Sequence, residues 1–196
     1  MSQLYHNLFP AMWLAWLAYW LWASRGNKAI ARHESVASRL LHLLPLLLSF
    51  YLLWAEQVPV QILNERLLPL ASWVFWLGAL ITACGQLFAV WARQHIGRNW
   101  SGTVTIKHEH ELVTTGPYAW IRHPIYTGLL LAIAGSALAR GEWRGVLAVL
   151  IAWLALWRKL RLEERWMREM FGAQYEDYAR RVPGLIPFSR RQNFRA

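Results

Sequence analysis

A chain of 196 residues in which 56% are hydrophobic and only 16% charged is too apolar for an ordinary soluble domain of this size. Its 14 tryptophans suit the membrane–water interface, where the indole ring is buried and its N–H stays hydrated. The net charge of +10 is carried mostly between the apolar runs, so membrane topology and anionic headgroups account for it and nucleic acid is not expected as a partner.

A run that crosses a hydrocarbon core of ~30 Å needs about 20 apolar residues. The N-terminus has no basic n-region and no small-residue cleavage site, so the first run, Leu8 to Ser24, reads as a retained span rather than a signal peptide. Leu40 to Ala55 is the second, with Pro45 tolerated because neighbouring helices can satisfy the freed carbonyl. Leu67 to Trp91 is the third and contains Cys84, which has no partner for an intramolecular disulfide and reads as packing. Two shorter runs, Tyr126 to Leu138 and Val146 to Trp157, flank the polar turn Arg140-Gly141-Glu142 and read as a helical hairpin. The expectation is an all-α integral membrane protein with about five transmembrane helices and a cytoplasmic C-terminal helical region.

The links between the runs orient it. Arg25, Lys28, Arg32 and Arg39 occupy the first link, and Arg93, Arg98, Lys107 and Arg122 the third, whereas the second carries only Glu56, Glu65 and Arg66. The positive-inside rule then puts the first and third links and the basic C-terminus in the cytoplasm, and the N-terminus outside. The chain divides into an N-terminal three-helix region, 1–92, and a core, 93–196.

The third link is long for a membrane connection, and such loops are usually functional. X-Pro steps at Gly116 and His123 predict bends there. His110 and His123 lack cysteine or acidic partners at metal spacing, so no metal is expected. His123 instead reads as the cap of a helix whose first turn holds Pro124, and a helix start offers free N–H groups. Beyond the fifth run, Lys159 to Gly172 has helical periodicity with Gly172 as its stop, and Tyr175 and Tyr178 open a second short helix. Glu163 and Glu164 point about 100° apart, so they are not expected to serve one partner. They read either as i,i+4 pairs, Lys159–Glu163 and Glu164–Arg168, or as a functional site near membrane depth. Tyr118, Tyr126, Tyr175 and Tyr178 read as interfacial anchors or ligand contacts, anchoring coming first for the last two. No Gly-x-Gly-x-x-Gly, P-loop or nucleophile elbow is present, which excludes a Rossmann-bound nucleotide.

The order of His110-Glu111-Leu112-Val113, Gly116-Pro117-Tyr118, Arg122-His123-Pro124-Ile125-Tyr126, Glu163-Glu164, Phe171-Gly172, Tyr175-x-x-Tyr178 and Val182-Pro183 resembles the isoprenylcysteine carboxyl methyltransferases. More broadly it is similar to the membrane methyltransferases that include phospholipid N-methyltransferases. The resemblance implies an S-adenosylmethionine site closed by the C-terminal helices and reached by a lipid substrate from the bilayer. It implies that Lys107, the backbone of His110, Glu111, Leu112 and Val113, and Tyr118, Arg122, His123, Pro124 and Tyr126 cradle the cofactor, with Glu163 on its ammonium or ribose. Lys159, with Arg158 beside it, stands where the eukaryotic enzymes place a substrate-orienting arginine. Asn99, Trp100, Glu164, Tyr175 and Tyr178 fall on the substrate side.

A carboxylate acceptor, with a pKa near 3.5, is already a nucleophile at neutral pH and needs no general base. Methylation then depends on positioning and exclusion of water. Two alternatives stay open. N- or S-methylation of a phospholipid or small molecule would need a base such as Glu164, and an NADPH-dependent sterol-type reductase would share the Arg-His-Pro-x-Tyr segment.

Overall fold

The computed structural model describes residues 2–25, 30–97, 100, 105–107 and 112–186. Its order is α1 (Ser2–Ala23), β1 (Ile30–His33), α2 (Val36–Trp54), a 3-10 turn (Gln61–Asn64), α3 (Ser72–Ile96), β2 (Thr105–Lys107), a second 3-10 turn (Gly116–Ala119), α4 (Pro124–Arg140), α5 (Trp143–Phe171) and α6 (Ala173–Arg181). All five apolar runs are therefore helices. Two of them, α2 and α3, are long and apolar enough to cross a membrane, and α4 is a shorter apolar helix. α1 is diluted by tryptophan and tyrosine, whose polar tips favour the interface.

One boundary differs from expectation. The fifth run and the helical tail are a single 29-residue helix, α5, because charged residues after Trp157 keep the helical period and no breaker intervenes before Gly172. Gly172, at φ 48°, stops it where predicted. The division drawn at 92–93 falls inside α3, near its C-terminal end.

α3 and α4 pack backbone to backbone. A Cβ added at Gly85 would lie 2.5 Å from the Gly128 carbonyl oxygen, and one at Gly78 the same distance from that of Gly135. Between these contacts the Thr82 hydroxyl donates to the Gly78 and Ala132 carbonyls at 2.9 and 3.2 Å. Such close approach lets hydrogen bonds and van der Waals contact hold helices together where the surroundings are as apolar as leucine. α1 is fastened by polar contacts of its own, with Tyr5 donating to the Ser136 carbonyl and Trp13 to the Ser136 hydroxyl. Outward, α2 exposes Leu40, Leu41, Leu44, Leu47 and Leu48, and α3 exposes Trp73, Trp76, Leu80, Leu87 and Trp91, an apolar exterior that a bilayer would cover.

The two ends of the bundle are built differently. At the α4–α5 turn, Arg144, only 1% exposed, donates to the Ala55 and Glu56 carbonyls at 2.8 and 3.1 Å, and Arg140 donates to those of Leu53 and Ala55. Both also pair with Glu142, so two arginines close the C-terminal carbonyls that α2 leaves unsatisfied. At the other end, β1 and β2 form an antiparallel ladder, with Ile30 opposite Lys107 and His33 opposite Thr105. The ladder joins the first and third links. β2 takes in the β-branched residues Thr105 and Ile106.

Candidate functional site

The site forms where the third link turns into α4. Gly116 adopts φ 58°, and a Cβ there would meet the His95 ring at 2.6 Å, so this turn accepts glycine for two reasons. The His95 imidazole and the Thr115 hydroxyl are hydrogen-bonded at 2.9 Å, which pins the turn to the end of α3. The chain reverses at His123 and enters α4 at Pro124, as the X-Pro steps predict. His123 is the N-cap residue by backbone position, but its side chain makes no capping bond. It points instead at α5.

There the two adjacent glutamates converge on it. His123 Nδ1 lies 3.5 Å from Glu163 Oε2, and Nε2 lies 3.4 Å from Glu164 Oε1. The expectation that these carboxylates cannot serve one partner is thereby corrected. A flat imidazole presents nitrogens on different edges, so diverging carboxylates can each meet one. Tyr126 stacks on His123, with centroids 5.4 Å apart and planes 7° off parallel, and its hydroxyl donates to Glu163.

The charges follow from this geometry. Burial disfavours the protonated form of His123, but hydrogen bonds to Glu163 and Glu164 and their charges outweigh it and hold its pKa above the ordinary value. Burial likewise pushes Glu164 up, yet His123 and Arg122 hold it down at about 2. Glu163 is also held below the ordinary carboxylate range, burial being outweighed by His123, Lys159 and the Tyr126 hydroxyl. Burial, and then the charge of Glu163, pushes the Tyr118 phenol up.

The remaining expected residues separate into two groups. Arg122 donates to Glu164 and to the carbonyls of Ala179 and Val182, and Arg168 reaches Glu164 from the next turn at 3.4 Å. Arg122 and Glu164 thus join the C-terminal segment to α4, and their side chains are engaged with each other. Tyr175 and Tyr178 are buried with Leu112, Met167, Phe171 and Val182, so they are packing residues and not interfacial anchors. The Tyr178 hydroxyl donates to the Tyr118 carbonyl at 2.6 Å. After α6 the chain crosses the start of α4, where Pro183 and Gly184 accept from the amides of Arg122 and His123.

Lys159, 9% exposed, sets its ammonium 5.4 Å from the Tyr126 ring centre and therefore faces the site. Arg158 turns toward α2, donating to the Ser38 carbonyl and hydroxyl. Trp100 packs against Trp20 with Arg93 over its ring. Leu112 and Val113 are half-buried on the approach to the Gly116 turn. Asn99, His110 and Glu111 lie outside the described residues, as does the Lys107 side chain.

Sequence reasoning missed His95 and Thr115, which carry no local signal and meet only through the fold.

This arrangement can be set beside known proteins. A family profile described as phospholipid methyltransferase matches residues 73–174. Protein-S-isoprenylcysteine O-methyltransferase B of Arabidopsis thaliana is 30% identical over 119 residues, which cover 59% of this chain and 60% of that protein. Protein-S-isoprenylcysteine O-methyltransferase of Saccharomyces cerevisiae is 35% identical over 115 residues, covering 57% and 48%. The match therefore spans about half to three-fifths of these relatives' length. A solved structure of the eukaryotic intramembrane Ras methyltransferase ICMT (isoprenylcysteine carboxyl methyltransferase) aligns with a TM-score of 0.57 at 24% identity, covering 78% of this chain and 52% of that one, a likeness of fold.

Proposed function

The chain belongs to the phospholipid methyltransferase family, an integral membrane family, and from that premise we propose that it is an S-adenosylmethionine-dependent methyltransferase. Its acceptor in this reading is a lipophilic carboxylate such as the C-terminus of a prenylated cysteine, the substrate class in the names of its relatives. The observation that carries the proposal is the convergence of Glu163, His123 and Tyr126 at the start of α4, with Lys159 beside them.

The residues present fit the cofactor. S-adenosylmethionine offers a cationic amino group, ribose hydroxyls and a flat adenine. Glu163 supplies the anion, the His123 and Tyr126 rings stand beside it, and the first turn of α4 has amides unused within the helix. Glu163, His123, Tyr126 and the Leu112–Tyr118 segment would hold it. When bound, it supplies an electrophilic methyl group. The chain's own part is to orient the acceptor and exclude water: Lys159 holds a carboxylate by charge, and Tyr118 and Tyr126 close the apolar sides.

The amine alternative is less well supported. Glu164, its candidate base, is engaged by Arg122 and held at about 2, too weak to take a proton from an ammonium. Positive-inside charge supports five spans, an external N-terminus and a cytoplasmic site, with residues 1–92 chiefly supporting and 93–196 carrying the chemistry. The deciding experiment supplies methyl-labelled cofactor with N-acetyl-S-farnesylcysteine or with phosphatidylethanolamine. Base-labile ester from the former is expected; label fixed as methylamine rejects the reading, and thermal stabilisation by NADPH alone rejects the class.

A further inference from the structure

At the end of the bundle away from His123, the start of α1, the segment after α2, the second link and the α4–α5 turn enclose a partly open cavity of about 140 Å³. Tyr5, Glu56, Arg66, Arg140 and Glu142 supply its polar lining, and Phe75 belongs to its apolar wall. The buried charges here are already balanced. Glu142 takes Arg140 and Arg144, whose guanidiniums are otherwise directed to carbonyls at the end of α2.

Glu56 and Arg66 differ from them. Both are exposed and both line the cavity, yet among the described residues neither pairs with the other or with any third charge. Arg66 donates to the Leu68 and Arg140 carbonyls at 3.1 and 3.3 Å, which fixes the guanidinium and leaves it further N–H donors. A cation and an anion that share a cavity without meeting suit a ligand carrying both charges, an anion for the arginine and an ammonium for the glutamate.

The depth of the cavity narrows the ligand's class. Trp73 and Trp76, at the start of α3, are 63% and 56% exposed, and Trp76 packs edge-on against Phe75 with centroids 5.1 Å apart. Exposed tryptophans at a helix end mark the level of lipid headgroups. Further along α3, Leu77, Leu80 and Leu87 are exposed on the face that bears Trp73, so an apolar track leads away from the cavity. The volume is close to the ~150 Å³ that accepts a benzene ring, room for about six non-hydrogen atoms. An ethanolamine arm with its phosphorus is of that size. A choline is larger, and its quaternary nitrogen has no proton to give a carboxylate.

We propose that this cavity holds the headgroup of a phosphatidylethanolamine-type lipid, its ammonium donating to Glu56 and its phosphate on Arg66, with the acyl chains lying along α3. The lipid is a bound ligand at the far end of the bundle and not the methyl acceptor, so its binding is independent of which acceptor is methylated.

The test follows the thermal unfolding midpoint of the full-length protein in detergent micelles with saturating S-adenosylhomocysteine. Phosphatidylethanolamine, phosphatidylcholine, phosphatidylglycerol and soluble glycerophosphoethanolamine are each titrated in. Phosphatidylethanolamine is expected to raise the midpoint most, and the free headgroup to have no effect at the same concentration. Glu56→Gln should raise the concentration of phosphatidylethanolamine needed for half the effect about ten-fold, the size of one lost hydrogen bond to a charged group, and Arg66→Gln should do at least as much. Affinity for S-adenosylhomocysteine should be unchanged in both. Equal stabilisation by phosphatidylcholine or by phosphatidylglycerol overturns the proposal, because neither offers an ammonium that can donate. An equal effect of the free headgroup overturns the lipid assignment, and a parent-like response in Glu56→Gln overturns the site. If Arg66→Gln does not fold, Glu56→Gln decides, since no bond within the chain is lost with that carboxylate.

Discussion

Arg122 donates from Nε to Glu164 Oε1 at 2.8 Å, and this pair fastens the C-terminal segment to the start of α4. The same guanidinium reaches the Ala179 and Val182 carbonyls, so it bridges three parts of the chain. Glu164→Gln is therefore expected to cost stability of about 1.5–3 kcal/mol, the range for a hydrogen bond to a charged group. A lowered midpoint of thermal unfolding in detergent checks it. Glu163→Gln should behave in the opposite way, with a smaller thermal shift and S-adenosylhomocysteine affinity reduced about ten-fold or more by titration calorimetry. A variant pair in which both measures moved together would remove the distinction between fastening and binding.

The cluster also sets a pH window. Glu164 is held at about 2 and Glu163 below its usual 4.5, so their stabilisation is fully present above about 4.5 and is lost as pH falls through the lowered values. His123 is raised, so its contribution is complete below 6.5 and is lost as pH climbs through the raised value. Stability should thus be flat between about 4.5 and 6.5 and decline on both sides. Unfolding midpoints across pH measure this, and His123→Gln should remove the alkaline decline and shrink the acid one, because His123 is the leading cause that holds both carboxylates down.

Gly116 is the most demanding position in the binding turn. Gly116→Ala combines a positive φ with a Cβ 2.6 Å from the His95 ring, and the conformational part alone is about 1–2 kcal/mol. Reduced thermal stability and weaker S-adenosylhomocysteine binding are both expected. Adding His95→Ala should recover the steric share and leave the conformational one. Full recovery would show that the dihedral angle contributes nothing.

Lys159 tests the acceptor's charge. Lys159→Met preserves the length and apolar stem but removes the ammonium, so KM for the farnesylcysteine acid should rise about ten-fold with cofactor affinity little changed. Lys159→Arg should hold KM near the parent value, because a guanidinium keeps the charge and adds a second donor. Equal losses in both variants would mean that packing against Tyr126, and not charge, is what the position requires.

Much of this was legible in the chain because it is local. Apolar runs marked the first five helices, Gly172 marked a stop, and His123-Pro124 marked the start of α4. Resemblance brought His123, Tyr126 and Glu163 together before any coordinates did. What could not be read was non-local. The pairing of Ile30–His33 with Thr105–Lys107 joins segments with no shared pattern, and the wedge of His123 between two glutamates depends on how α4 meets α5. His42 and Glu34 lie in the half of the chain where no motif was recognised, and only folding brings the pair together. The joining of the fifth run to the charged tail was hidden for another reason: hydropathy changes abruptly at Trp157 while helical periodicity does not.

That unbroken helix has a mechanical meaning. At 1.5 Å per residue, α5 is a rod about 43 Å long, with apolar side chains along one half and Lys159, Glu163 and Glu164 along the other. It contains no proline or glycine hinge between Val146 and Phe171. Any tilt imposed on the greasy half is therefore delivered to the carboxylates without loss, as a lever delivers motion to its far arm. A bilayer whose thickness tilts the apolar half would carry Lys159, Glu163 and Glu164 with it, with no change of sequence.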